Sequence, residues 1–216
     1  MKNISIFNKF IIILILLAIF ITLSAFSYSA TVLGHISDSV FRLHIIANSD
    51  SYEDQELKYK VRDKIIEYMQ SISKSTDTKE EILELASNNL DTLEKVAKQV
   101  VLENGYNYDI SVETGNFSFP TKNYGDITFP TGFYDALRIK IGDAKGENWW
   151  FVMFPPLCFV DVSSGIVPEE SKKDLVASLS PEEYDIISKD DGEIKFKFKL
   201  LELFQSITKN TSTAKK

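Results

Sequence analysis

Residues 148–162 read NWWFVMFPPLCFVDV, and twelve of them in succession, Trp149 to Val160, carry no charge. Two Trp, three Phe, a Pro pair and the only Cys of the chain fall in that run. It is too short to span a bilayer and too aromatic for an ordinary surface strand. So much apolar surface has to be covered, inside the fold or by a partner. Working outward from it, Phe133 to Ile141 alternates apolar and polar residues, with Arg138 and Lys140 on the polar side. Gly142 to Gly146 predicts a hairpin loop, and Trp149 to Phe154 the strand that returns from it. Tyr106, Tyr108, Ile110 and Val112 alternate with Asn107, Asp109, Ser111 and Glu113, the pattern of a half-buried strand. Phe117–Pro120 and Ile127–Pro130 are extended pieces, each stopped by Pro.

The first half of the chain has a different period. Val40 to Ala47, VFRLHIIA, predicts a strand with one wholly apolar face (Phe41, Leu43, Ile45) and one mixed face carrying Arg42 and His44. Asn48-Ser49-Asp50-Ser51 ends it, and Ser51 with Asp54 three residues on resembles a capping box. A helix from Tyr52 to Ile72 follows, with Leu57, Val61, Ile65, Tyr68, Met69 and Ile72 on one side. After a polar break at Ser73–Thr78, Lys79 to Glu103 is helical again, with Asn88-Asn89 as a division and Gly105 as a C-terminal cap. A strand, then helices, then antiparallel strands predicts an α+β domain. We expect one domain over 38–207: a mostly antiparallel sheet with two to three helices on one face. Pro168 to Gly192 is acidic and weakly patterned, so 166–192 reads as a loop or insert. Ile194 to Leu200 alternates apolar residues with Lys, Leu201 to Ile207 suggests a short amphipathic helix, and 208–216 reads as a disordered tail.

Residues 1–30 have the order of a secretory signal: Lys2 and Lys9, an uncharged run from Phe10 to Leu23, then Ser24, Ala25, Ser27, Ser29 and Ala30. Cleavage after Ser27 or Ser29 keeps small residues where they are needed. Charge-free sequence continues to Ser37, however, so an uncleaved anchor helix fits the same residues. Either way the basic end stays inside and the rest is exported. Lys2 and Lys9 are the only charges among the first 30 residues, which leaves the exported part 22 basic and 31 acidic side chains, a net charge of −9. Nucleic acid and anionic lipid need a positive footprint and are poor partners for it. The single Cys excludes an internal disulfide, so packing alone holds the domain.

Little in the chain looks like chemistry. His35 and His44 are its two histidines, and no Cys-x-x-Cys, His-Glu-x-x-His, Gly-x-Ser-x-Gly or glycine-rich phosphate loop occurs. Cys158 sits in an apolar run after Pro155-Pro156, where a buried small hydrophobe is a better account than a thiol paired with His44. Asn48-x-Asp50-x-Tyr52-x-Asp54 has faint calcium-loop spacing but lacks the glycine and the closing glutamate, so capping explains it better. Accidental carboxylate pairs are plentiful among 31 acids, and none stands out. We therefore expect no catalytic residue, no cofactor and no metal.

Four blocks nonetheless form a pattern: FRLHIIANSDSYEDQELKYKVRD at 41–63, FPTKNYG at 119–125, FPTGFYDALRIKIG at 129–142 and ENWWFVMFPPLCFVDV at 147–162. In this order and spacing they resemble the stage II sporulation protein R family of endospore-forming bacteria, over most of residues 40–165. The resemblance implies a signal made in the forespore and exported into the space between the two sporulation membranes. There it triggers a membrane-embedded aspartic protease that removes the pro-sequence of the mother-cell sigma factor E. Such a signal acts through tighter binding to the protease's active state.

The polar residues of the 42–62 block are our candidate contact patch: Arg42, His44, Asn48, Asp50, Asp54, Lys58 and Arg62, beside Trp149 or Trp150 if the strands are neighbours. A competing account has Arg42 or Arg62 pairing with Asp50 or Asp54 to pin the loop. Adjacent Trp149 and Trp150 point to opposite sides of a strand, and both can also belong to the core. Three functions stay open on sequence alone: the secreted activating ligand, an extracytoplasmic hydrolase of cell wall or peptides, and a membrane-anchored structural protein of the spore envelope.

Overall fold

The structure is a computed structural model that describes residues 6–74, 76, 78–155 and 169–188. Cys158, the alternating stretch 194–200, the helix expected at 201–207 and the tail from 208 lie outside the described residues. The first helix, α1, runs from Ile6 to Asp38 without interruption. Its window Phe7–Ser24 is long and apolar enough to cross a membrane, with a mean hydropathy of 2.4, and none of it is buried against the protein. The far end belongs to the domain: Ile36 is fully buried, Val32 packs against the core, and the helix lies against the strand Gly132–Ile141.

Strand β1 (Phe41–Ile46) leads through Ser51 into helix α2 (Tyr52–Ile72). Ser51 is extended and its hydroxyl accepts the Asp54 N–H, which is half of the expected capping box; the Ser51 N–H donates to Ser49 Oγ and not to the Asp54 carboxylate. Thr78 caps α3 (Lys79–Asn88) in the same way, and Asn89 divides it from α4 (Leu90–Glu103). Gly105, at φ +83°, closes α4: Tyr106 N–H donates to Val101 O, and Gly105 N–H to Leu102 O. The strands are β2 (Ile110–Phe119), β3 (Lys122–Tyr124), β4 (Ile127–Phe129), β5 (Gly132–Ile141) and β6 (Asn148–Phe154). Two short helices follow, α5 (Glu169–Ser178) and α6 (Pro181–Ser188).

The main sheet has the order β2-β5-β1-β6, with β1 parallel to β5 and the other two pairings antiparallel; β3 and β4 form a separate ribbon. This α+β architecture matches the expectation in class and departs from it in three places. The predicted hairpin between β5 and β6 does not exist, because β1 lies between them. Phe41 to Ile45 are all buried, so both faces of β1 need cover and it takes the centre. The 142–147 connection arches over its end instead. Strand β2 begins at Ile110 rather than Tyr106, since β5 ends at Ile141 and offers no partner further back. Residues 169–188 are helical where a loop or insert was expected. Ser180 and Glu183 form a reciprocal capping box, Pro181 takes the first helical position, and Leu175, Leu179 and Ile187 are buried.

Helices α2 to α4 cover the face of the sheet carrying Phe41, Leu43 and Ile45. Lys79 reaches Asp135 there at 2.6 Å, and Ser87 meets Thr114. The mixed face is not bare either. The β3–β4 ribbon lies over its Phe119–Gly132 end, with α6 packed on β4 and Lys172 of α5 bonded to Asp126 in the ribbon's turn.

Candidate functional site

The structure divides the nine candidate contact residues into three places. Asn48, Asp50, Asp54 and Lys58 sit where the β1–α2 loop meets the 142–147 arch. Asp54 accepts from Asn48 Nδ2 at 2.8 Å and Ser49 Oγ at 2.5 Å. Burial alone would raise its carboxyl; the hydrogen bonds from Ser49, Asn48 and Tyr108 outweigh that and hold it below the usual carboxylate range. Asn48 Oδ1 accepts the Asp143 N–H, Asp50 accepts the Glu147 N–H at 2.6 Å, and Lys58 donates to Gln55 and to Glu147 O. Lys58 is 1% exposed, and burial is the main cause that lowers its ammonium below the ordinary lysine value. Gly142, at φ +57°, lies so close to Asn48 Oδ1 that a Cβ there would come within 2.2 Å. These four side chains pin two chain segments together. The arginine version of the pinning account is wrong: Arg62 pairs with Asp63, and among the described residues no carboxylate reaches Arg42.

Arg42, His44 and Trp150 lie on the other face of the sheet. Arg42 is fully buried, its guanidinium 4.2 Å from the Phe119 ring centre, 4.7 Å from that of Tyr134 and 5.8 Å from that of Phe129. One nitrogen donates to Tyr124 Oη at 2.8 Å, Nε makes a longer contact of 3.4 Å with Phe151 O, and Nη1 has no hydrogen-bond partner among the described residues. Burial raises both tyrosines, Tyr134 to about 12, so neither supplies a phenolate as counter-charge. The cation is held by ring faces instead.

His44 is 5% exposed and stacks on Trp150 at 3.8 Å, with its Nε2 2.6 Å from Asn148 Oδ1. Its pKa falls to about 4. Burial is the main cause; the Asn148 bond opposes it, and Arg138, Arg42 and Lys140 add to it. The neutral ring is thus favoured by folding. Stability is whole above the unfolded value near 6.5 and is lost as pH falls toward 4, by about 3 kcal/mol at about 1.4 kcal/mol per unit. His44→Phe keeps the stacking, and denaturant titrations from pH 7 to 4 should show this part of the slope gone.

Arg62 and Trp149 make the third group. The guanidinium lies 5.1 Å from the Trp149 ring centre and 4.9 Å from that of Tyr59, at the edge of the helix-covered face. Trp149 stacks on Phe151, so both tryptophans are half-buried, on opposite sides as expected. Sequence reasoning missed Tyr108, Phe119, Tyr124, Phe129 and Tyr134, which complete the junction and the Arg42 cage. FPTKNYG and FPTGFYD held that signal, but nothing local says which cation they enclose. Among the described residues, no group of three or more His, Cys, Asp or Glu is placed to hold a metal ion.

Residues 37–164 match the family model of stage II sporulation protein R. The chain is also similar to the stage II sporulation protein R of Bacillus subtilis (strain 168), 41% identical over 137 residues. That alignment covers 63% of this chain and 61% of the relative's length. No solved structure matches the chain.

Proposed function

Because the chain belongs to the stage II sporulation protein R family, we propose that it is an exported sporulation signal that switches on a membrane-embedded aspartic protease from the extracytoplasmic side. The protease then removes the pro-sequence of the mother-cell sigma factor E precursor. The observation that carries this reading is the family match over 37–164, which spans β1 through β6 and so both the junction and the cage. The N-terminal apolar helix is consistent with export, as a signal or an anchor. The polar residues that looked most like chemistry are engaged in holding the fold together, which suits a binding protein better than a hydrolase. As a ligand, the domain would shift the protease's equilibrium by binding its active form more tightly.

Reconstitution in a non-sporulating host tests this. The chain, the cognate membrane protease and the sigma precursor are produced together, and precursor cleavage is followed by gel shift. Cleavage should require the exported chain and should survive Cys158→Ala and His44→Phe. Absence of cleavage with both membrane partners inserted would overturn direct activation, and cleavage lost only in Cys158→Ala would move the reading to a thiol hydrolase.

A further inference from the structure

The two edges of the main sheet are treated differently. Strand β6 is seven residues long, its pairing with β1 shifts register near Phe41, Tyr124 Oη donates to Trp150 O, and Pro155-Pro156 follows directly. These are ways of blunting an edge. Strand β2 shares only the proline that ends it, Pro120. It runs ten residues in unbroken register with β5, from Ile110 opposite Ile141 to Phe119 opposite Gly132, and contains no Lys and no Pro. Gly142 N–H donates to Asp109 O, which sets the phase of the ladder. Asp109, Ser111, Glu113, Gly115 and Phe117 therefore turn their backbone groups toward β5, while Val112, Thr114, Asn116 and Ser118 turn theirs outward. Among the described residues no strand lies beyond them.

Charge narrows what fits. On the mixed face, Glu113 Oε1 accepts from Arg138 at 2.8 and 2.9 Å and from Lys140 at 2.8 Å. Two cations share one carboxylate, a local net of +1 at the rim of a domain whose overall charge is strongly negative. A strand laid along β2 would place a side chain directly opposite Glu113, about 5 Å away, where a further carboxylate suits the surplus cation. A second copy suits it poorly. Antiparallel pairing of two β2 edges needs a two-fold axis perpendicular to the sheet. That would set two +1 clusters on one face and carry the two α1 helices, which join near Gly132, to opposite ends of the joined sheet.

We propose that the outer edge of β2, from Val112 to Ser118, is where the protein partner docks, by adding an extended segment that carries an acidic residue opposite Glu113. This rests on the activating-ligand reading above and gives it a surface. Backbone pairing supplies affinity, and the Arg138–Glu113–Lys140 cluster sets register and choice of segment.

Residue-resolved amide exchange on the full chain, alone and in complex with the co-purified membrane protease, tests it. The amides of Val112, Thr114, Asn116 and Ser118 should exchange freely in the chain alone and slow by about tenfold or more in the complex. Those of Ser111, Glu113, Gly115 and Phe117 should be protected in both. Thr114→Pro and Asn116→Pro each remove an outward backbone donor, along with the Thr114–Ser87 and Asn116–Asp135 side-chain bonds. They should lower precursor cleavage about tenfold in chains that stay folded, with Thr114→Val and Asn116→Ala, which lose the side-chain bonds alone, cleaving normally. Lys140→Glu should weaken the complex similarly. Outward amides already protected in the chain alone, or unchanged in the complex, would overturn the proposal, and exchange decides the matter even if a Pro variant misfolds. Normal cleavage with a folded Pro variant would overturn it too, while failure of the unmodified chain to trigger cleavage would count against the function itself. A Lys140→Glu chain that binds normally would refute the acidic segment.

Discussion

Arg42→Ala should lower the unfolding free energy by about 3–5 kcal/mol, measured by denaturant titration of the full chain in detergent. The side chain is fully buried among Phe119, Phe129 and Tyr134, so truncation leaves a cavity under the ribbon. It also removes the donor to Tyr124 Oη, which in turn holds Trp150 O. Arg42→Met separates shape from charge. It refills most of the volume, contacts the rings through a polarisable sulfur and needs no desolvation of a cation. If packing dominates, Arg42→Met recovers all but about 1 kcal/mol. If it falls as far as Arg42→Ala, the cation–ring attraction is what seats the ribbon.

Gly146→Ala should cost about as much, for a different reason. A Cβ at Gly146 would come within 2.2 Å of Ser49 O and 2.5 Å of its carbonyl carbon. Both are backbone atoms, so no flexible side chain can give way. The arch would have to lift from the β1–α2 loop. Gly146 N–H to Ala47 O and Lys145 N–H to Asn48 O are lost first, then the bonds of Glu147 to Asp50 and Lys58. These four hydrogen bonds at about 1 kcal/mol each, with buried Lys58 left short of partners, give about 3–5 kcal/mol. The same arch supplies a control of opposite sign. Ala144 stands at φ 51°, a conformation that favours glycine, and Ala144→Gly should gain up to about 1 kcal/mol. If Gly146→Ala melts like the parent, the junction is looser than its geometry shows.

What the sequence made legible follows from locality. Ser51, the Asn88–Asn89 division and Gly105 act within a few residues of where they stand and are found where their patterns place them, whereas Asp54 leaves the capping box open and turns its carboxylate to Asn48 and Ser49. The apolar stripes of α2 and α4 likewise face the core. Strand order was another matter. A five-residue loop between alternating strands ordinarily means a hairpin, and only the burial of both faces of β1 reveals that it separates β5 from β6. The Arg42 cage was illegible for a similar reason, since Phe119 and Tyr134 come from strands more than 70 positions downstream. The polar residues of 42–62 were noticed because they are unusual in a strand and a first helical turn. Their neighbours show most of them to be fasteners. In α6 the signal was present, in Ser180 and Glu183, but the surrounding acidic composition hid it.

Helix α1 passes from its apolar window into the core without a joint: Phe7–Ser24 lie at one end, and Val32 and Ile36 are gripped at the other. If that window stays in a bilayer, the domain is mounted like a vane on a shaft. It cannot tumble, and its heading is set by the helix's rotation about its own axis. An encounter with a neighbour in the same membrane becomes a lateral approach with one angle to match. The helix phase between Ser24 and Val32 then decides which side of the vane a neighbour meets.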